Sequence, residues 1–284
     1  MLRRAVRSIL SQDYPGEVGC VVVFDQTEPA DLSDLMSGAP DVRSLIVIRN
    51  TRTPGLAGAR NSGVAEGAGE LVAFCDDDDE WLPGKLSAQV EAMGDASVSV
   101  TGIEVAFGDR RVVRVPQGPV TLAALVAGRD ASIHPSTLLV RKSAFSEIGW
   151  VDEQMPGSYG EDYEWLLRAA QQGPIAVAPE PLVRVYWGAS LFADRWQTIA
   201  ESIRYLVGKH PELLRSRANA ARLFGRIAFA HAALGERGRA MRWAWRSFLK
   251  RPLEPRPYLA LGVAAGLLRP AKVQERANRA GRGI

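Results

Sequence analysis

Leu2, Ala5, Val6, Ile9 and Leu10 recur at helical spacing, and Tyr14-Pro15-Gly16 stops the helix they predict. Val18 to Phe24 then runs apolar without alternation, as a strand covered on both faces of a parallel sheet requires. Leu45-Ile46-Val47-Ile48 predicts the next strand, Pro54 to Gly58 a loop, and Ala59 to Ala65 a helix leading into the apolar strand Glu70 to Cys75. A helix from about Pro83 through Met93 comes next, followed by strands at Val98 to Phe107, Arg111 to Val115 and Ser136 to Val140. A helix from Glu161-Asp162 to about Gln171 and a strand at Leu182 to Tyr186 close this part. Alternation at this pace predicts an α/β protein with a mixed open sheet flanked by helices. From about Asp194 onward the pattern is helical and rich in Ala and Arg. The expected division is therefore a sheet domain over residues 1–190 and a helical extension over residues 191–284.

Composition sharpens that division. The 284 residues are 46% hydrophobic and 24% charged, an ordinary globular balance that excludes a disordered chain. The net charge of +3 conceals an asymmetry: residues 201–284 hold 18 Lys+Arg against 5 Asp+Glu, leaving 17 against 27 for residues 1–200. The two cysteines, Cys20 and Cys75, fall in predicted strands and read as reduced core thiols. No leader-like segment is expected, and the most apolar stretch, Pro257 to Leu268, is closed by Arg256 and Arg269 and is too short to cross a bilayer.

Candidate chemistry concentrates in Asp76-Asp77-Asp78-Asp79-Glu80, which follows the apolar strand. Packed anions repel, so such a cluster at a strand end is tolerated when a cation neutralises it. In extended backbone Asp76 and Asp78 point the same way, a spacing that suits Mg²⁺ or Mn²⁺ carrying phosphate oxygens. The alternative is a hydrated acidic turn before a helix. Ligands in open α/β sheets bind beyond the carboxyl ends of the strands, so Asp25, at the end of another apolar strand, is expected to face the same crevice.

The order of Ser8 to Pro15, Val21 to Asp25, Gly58-Ala59-Arg60-Asn61-Ser62-Gly63, Ala73 to Leu86 and Gly160-Glu161-Asp162-Tyr163-Glu164-Trp165 resembles the family 2 inverting glycosyltransferases of the Rossmann-like GT-A fold. The resemblance covers about residues 1–190. It implies that Asp76 and Asp78 hold a divalent metal, and that Asp25, Arg60, Asp76 and Asp77 lie against a nucleotide-sugar donor, a UDP-sugar by default. It further implies that Asp162 is the catalytic base, taking a proton from an acceptor hydroxyl. The guanidinium of Arg60 suits phosphate or carboxylate, and Asn61 is expected to cap the same helical turn. Glu161 lies about 100° from Asp162 on a helix and is assigned no proton transfer. Trp81, Trp165 and Trp187 have flat faces for sugar rings, although core packing is the commoner use. His134-Pro135-Ser136 falls on the acceptor side, its histidine expected to make a local hydrogen bond. With no metal-binding histidine evident after Tyr186, water and phosphate would complete the ion's shell.

The chain departs from the family at its start, where members have an apolar strand and a nucleotide-contacting loop before the first helix. The expectation is that the natural protein is longer, and that without this strand neighbouring edges stay unpaired. The first reading is an inverting transferase for glycan or glycolipid synthesis in the cell envelope; the alternative is a sugar-nucleotide-binding scaffold without turnover. Nucleotidyl transfer is disfavoured because the glycine- and lysine-rich N-terminal loop it uses is not visible. Cytoplasmic placement is expected, extending to the inner face of the cell membrane. There, residues 236–250, with Arg237, Arg239, Arg242, Arg246, Lys250, Trp243, Trp245 and Phe248, would meet anionic lipid or else pack as a helical cap. No recognition motif accompanies the basic charge, so no nucleic-acid partner is expected.

Overall fold

The computed structural model of the chain describes residues 1–108, 110–186 and 195–279. It resolves into two compact units: Met1–Leu125, Arg129–Glu153 and Glu161–Ala189 form the first, and Val126–Gly128, Gln154–Gly160 and Ser190–Ile284 the second.

The first unit begins with α1 (Leu2–Leu10), β1 (Val18–Phe24), β2 (Arg43–Arg49), α2 (Leu56–Glu66), β3 (Leu71–Ala73) and β4 (Glu80–Trp81). It continues through α3 (Lys85–Met93), β5 (Val98–Phe107), β6 (Arg110–Arg114), α4 (Leu122–Ala127), β7 (Leu139–Arg141), α5 (Ala144–Ile148), α6 (Glu161–Gln172) and β8 (Ala176–Tyr186). β1 and β2 form a parallel pair in register from Val18↔Arg43 to Phe24↔Arg49. A six-stranded sheet has the order β3-β7-β5-β8-β4, with β6 on β5. Within it only β5 and β8 run parallel.

The mixed α/β architecture is thus as the sequence predicts, but the sheet is divided. β1 pairs with β2 and β3 with β7, and no ladder joins β1 to β3 among the described residues. β1 is also less enclosed than its apolar run implies: Val18, Cys20 and Val22 are buried, whereas Val21 and Val23 are only half-buried.

The junction after α1 is set by a buried arginine. Arg43 donates to the carbonyl oxygens of Gly16 (2.8 Å), Gln12 (2.8 Å) and Tyr14 (2.7 Å), as well as Leu10 (3.3 Å). It thereby satisfies acceptors that the end of the helix and the Tyr14-Pro15-Gly16 turn leave open. Ser8 on α1 and Gln12 just beyond its end reach the segment after the acidic run. Ser8 Oγ accepts from Trp81 N (3.0 Å), and Gln12 bonds both Leu82 O (3.0 Å) and Leu86 N (3.2 Å). Val18, Trp81, Leu86, Met93, Ile103, Val105, Leu139, Val183 and Val185 form the main core.

Trp81 and Trp165 are core residues, 5% and 2% exposed, so neither offers a face to a sugar. Trp187 and Asp194 lie outside the described residues. Cys20 and Cys75 are free thiols, with burial pushing Cys20 up to about 12.

The second unit contains α7 (Trp196–Lys209), α8 (Arg217–Ala233), α9 (Arg237–Lys250), α10 (Pro255–Ala264) and α11 (Pro270–Arg279). Its core is small-residue packing: Ala228, Phe229, Ala232, Ala240, Ala244, Ala260 and Val263.

Candidate active site

The acidic run does not stay extended. Asp79 N donates to Asp76 O (3.1 Å), closing a turn whose tip is Asp77 and Asp78, both exposed. The alternation that would set Asp76 beside Asp78 is lost, and the four carboxylates take four environments. Asp79 turns inward and is 1% exposed. Its Oδ2 accepts from Ser136 Oγ (2.5 Å) and lies 3.1 Å from His134 Nδ1. Ser136 Oγ also accepts from Asp76 N (3.0 Å), so one hydroxyl pins both ends of the turn.

Asp76 is held from the other side by Arg60. α2 begins where Gly58 passes so close to Thr53 that a Cβ would sit 1.9 Å from the Thr53 carbonyl oxygen. Two residues on, Arg60 Nη2 donates to Asp76 Oδ1 (2.8 Å) while Nη1 donates to Glu161 Oε1. Burial alone would raise Asp76, but the Arg60 charge and hydrogen bond outweigh it and hold the carboxyl below its usual range. Burial would likewise lower Arg60, yet Asp76, Glu161 and Asp162 together raise it.

Asn61 is not a cap. Its side chain bonds Val151 O (2.9 Å), Val151 N (3.0 Å) and Glu153 Oε1 (2.7 Å), fixing the segment after α5.

Glu161 and Asp162 open α6, where unpaired helix N–H groups favour carboxylates. Glu161 is buried, and burial raises it to about 7 against the pull of Arg60, with the Asp162 charge adding to the rise. Asp162 turns to a different partner: its Oδ2 accepts from Arg129 Nη2. Oδ1 makes no hydrogen bond among the described residues. His134 stands in the field of all three acids. Burial disfavours its charge, but the Asp79 hydrogen bond and the charges of Asp76, Asp79 and Asp162 raise it above the ordinary histidine value.

The structure therefore joins Arg60, Asp76 and Glu161 by direct contact, with Asp162 and His134 electrostatically coupled to them. Asp25 belongs to a neighbouring arrangement at the end of β1. Its carboxylate accepts from Asn50 Nδ2 (2.8 Å), Gly55 N (2.9 Å) and Gln26 Nε2 (2.9 Å), which hold it below its ordinary range despite partial burial. Among the described residues no hydrogen bond or ion pair joins it to Arg60, Asp76 or Glu161. Asp78 contributes its backbone: the carbonyl accepts from Arg4 Nη2 (2.6 Å). Three participants are not assigned from sequence: Arg129, Glu161 as the second Arg60 partner, and Ser136.

Ligand atoms of Asp76, Asp79 and His134 lie within 4.8 Å of one another, a grouping of two carboxylates and an imidazole able to hold a divalent metal ion. Burial and the charges of Asp79, Asp76 and Asp77 raise Asp78, a repulsion that a bound cation relieves.

A mixed sheet flanked by helices, with an acidic turn beyond β3 and a Glu-Asp pair at the start of α6, is the GT-A architecture. Residues 1–149 match Glycosyl transferase family 2, and the chain belongs to that family. Among curated relatives, Escherichia coli WfaP, a UDP-Glc:α-D-GlcNAc-diphosphoundecaprenol β-1,3-glucosyltransferase, is 35% identical over 88 residues, covering 31% of this chain and 34% of WfaP. The chain spans about half or less of the length of the first curated relatives it matches (52% and 34%). In structure, S. aureus TarS 1–349 in complex with UDP-GlcNAc superposes with a TM-score of 0.60 at 17% identity, over 99% of this chain and 88% of that one. The mannosyltransferase PcManGT of Pyrobaculum calidifontis, in complex with GDP-Man and Mn²⁺, gives 0.56 at 17% identity, over 96% and 78%.

Proposed function

We propose that the chain is an inverting glycosyltransferase that moves a hexose from a nucleotide diphosphate donor, a UDP-sugar, to a hydroxyl of a glycan or lipid-linked acceptor in cell-envelope synthesis. The observation that carries this reading is the Arg60 bridge. Arg60 holds Asp76 of the acidic turn and, 101 positions on in sequence, Glu161 at the start of α6, which supports a donor side and a base side at one site. WfaP and TarS supply the donor and acceptor classes by likeness.

In this reading Asp76 and Asp78, or Asp76 with Asp79 and His134, hold Mg²⁺ or Mn²⁺, which when bound stabilises negative charge on a departing diphosphate. Asp25 and Asp77 line the donor side. Asp162 Oδ1 takes the acceptor's proton as the acceptor oxygen bonds to the anomeric carbon and the bond from that carbon to the diphosphate breaks on the opposite face. Arg129 orients Asp162 through Oδ2. Glu161 serves Arg60 rather than the proton.

The test pairs binding with turnover. UDP with Mn²⁺ should raise the melting temperature of the wild type and of Asp162→Asn alike. Donor turnover should fall about 10²–10⁴-fold in Asp162→Asn. Asp76→Asn should lose the thermal shift. Unchanged turnover in Asp162→Asn overturns the assignment of the base. A wild type that binds UDP and turns nothing over supports the scaffold alternative.

A further inference from the structure

α9 is built inside out. Its seam is made of small residues: Ala240, Ala244 and Ser247 are buried, and Ser247 Oγ donates to Ala221 O of α8 (2.7 Å). Trp243 packs against the core of this unit and Phe224, but three other large apolar residues face outward. Met241, Trp245 and Leu249 are 60%, 59% and 56% exposed, and Leu253 just beyond the helix is 87% exposed. At 100° per residue the three helical positions fall within an arc of about 80°, which Arg242 and Arg246 continue on its open side. Phe248 stacks on Trp245 (centroids 5.5 Å, planes 16° apart), stiffening the stripe. A helix that only caps a soluble unit would bury its large side chains and expose its charges.

The cations flanking the stripe are also uncommitted. Arg237, Arg242, Arg246 and Arg251 make no ion pair among the described residues. Arg246 instead lies 4.6 Å from the Trp243 ring. An exposed apolar stripe edged by unpaired guanidinium groups complements a surface with an apolar interior and anionic headgroups. No described helix is long and apolar enough to cross a membrane, so the fitting geometry is a helix lying in the interface.

We propose that α9 docks this chain on an anionic lipid bilayer, with Met241, Trp245 and Leu249 entering the headgroup–acyl boundary and Arg242 and Arg246 binding lipid phosphates. The inference stands on the helical unit alone and does not depend on the transferase reading.

Co-sedimentation of the full chain with phosphatidylcholine vesicles, and with phosphatidylcholine–phosphatidylglycerol vesicles, tests it without donor or turnover. Binding is expected to the mixed vesicles only, weakening steeply with salt. Trp245→Ser with Leu249→Ser should lower partitioning about a hundredfold, and each of Arg242→Gln and Arg246→Gln about fivefold. Trp245→Phe should retain binding, which controls for misfolding. No binding to the mixed vesicles, or equal binding by the Trp245→Ser, Leu249→Ser variant, overturns the proposal. So does a wild-type dimer in sedimentation that this double variant dissociates, since a second copy would then own the stripe.

Discussion

In the first unit Arg60 bridges Asp76 and Glu161, Arg168 forks onto the buried Glu164, Arg184 joins Glu80 to Glu104, and the buried Arg43 is met by backbone carbonyl oxygens. In the second unit, α9 carries Arg237, Arg242 and Arg246 with no ion pair among the described residues. Packing differs in the same sense. The first core is made of large side chains such as Trp81, Met93 and Ile103, while the second closes on alanines and leaves Trp245 outside. A buried guanidinium without acceptors is costly, so these partners are a condition of folding in the first unit. Where charge is left unpaired at a surface, folding does not require it, and its use must be sought in a partner.

Two close-approach glycines sharpen this contrast with the largest expected effect. A Cβ on Gly58 would sit 1.9 Å from the backbone oxygen of Thr53, whereas on Gly225 of α8 it would meet the Arg256 side chain at 2.7 Å. Backbone cannot yield without dragging the Asn50-to-Gly55 loop that Asp25 anchors, so Gly58→Ala should cost about 3 kcal/mol or more. Gly225→Ala gains about 1 kcal/mol of helix propensity, but the atom it meets is Arg256 Cβ, which moves only with the α10 backbone, so a smaller net loss of about 1–2 kcal/mol is expected. Urea unfolding measures both. Equal losses would mean that the helical unit is as tightly constrained as the sheet unit.

Lys85 is the exception inside the first unit. It is fully buried, its Nζ has no hydrogen bond among the described residues, and it lies 4.0 Å from the centroid of the Trp81 ring. Burial pulls it down to about 7, with Cys75 opposing. The unfolded chain holds this proton until about pH 10.4. Between these values the unfolded state therefore binds more protons, and stability rises with pH from about 7 to about 10, with no slope from this group below 7. Lys85→Met should remove that rise and stabilise the protein by about 2 kcal/mol below pH 7. Thermal melts across the pH range check it; a Lys85→Met protein less stable at pH 6 would show that the ammonium has a partner.

How much of this was legible varies with the kind of signal. Continuous apolar runs marked β1 and β5 at their observed bounds, Val18–Phe24 and Val98–Phe107. β8 begins six residues before the Leu182 expected from the pattern, because Pro179 and Pro181 disguise it. The register shift between Thr101 and Ile103 shows where the ladder accommodates them. β4 is two residues long and α4 and α5 only six and five, too short for any period to be read. At the site, the acidic run and the Glu-Asp pair are visible as motifs. What four consecutive aspartates cannot reveal is which one turns inward, since that depends on a hydroxyl 57 residues away. Arg129, 33 residues before Asp162, has no local signature either.

That hydroxyl supports the finest comparison between the units. Ser136 Oγ donates to Asp79 and accepts from Asp76 N, both within the first unit. Ser136→Ala leaves the Asp76 N–H and one buried carboxylate oxygen short of a partner, at about 1–2 kcal/mol. The acidic turn should loosen with it, weakening UDP–Mn²⁺ stabilisation in thermal melts. Arg242→Gln, which removes a full charge from α9, should change the melt without lipid by less than about 0.5 kcal/mol. A neutral hydroxyl would then matter more to folding than a formal charge, because one is embedded in a paired network and the other faces water. If Arg242→Gln destabilised the protein as much as Ser136→Ala, the α9 arginines would belong to the fold, and the distinction between paired and uncommitted charge would fail.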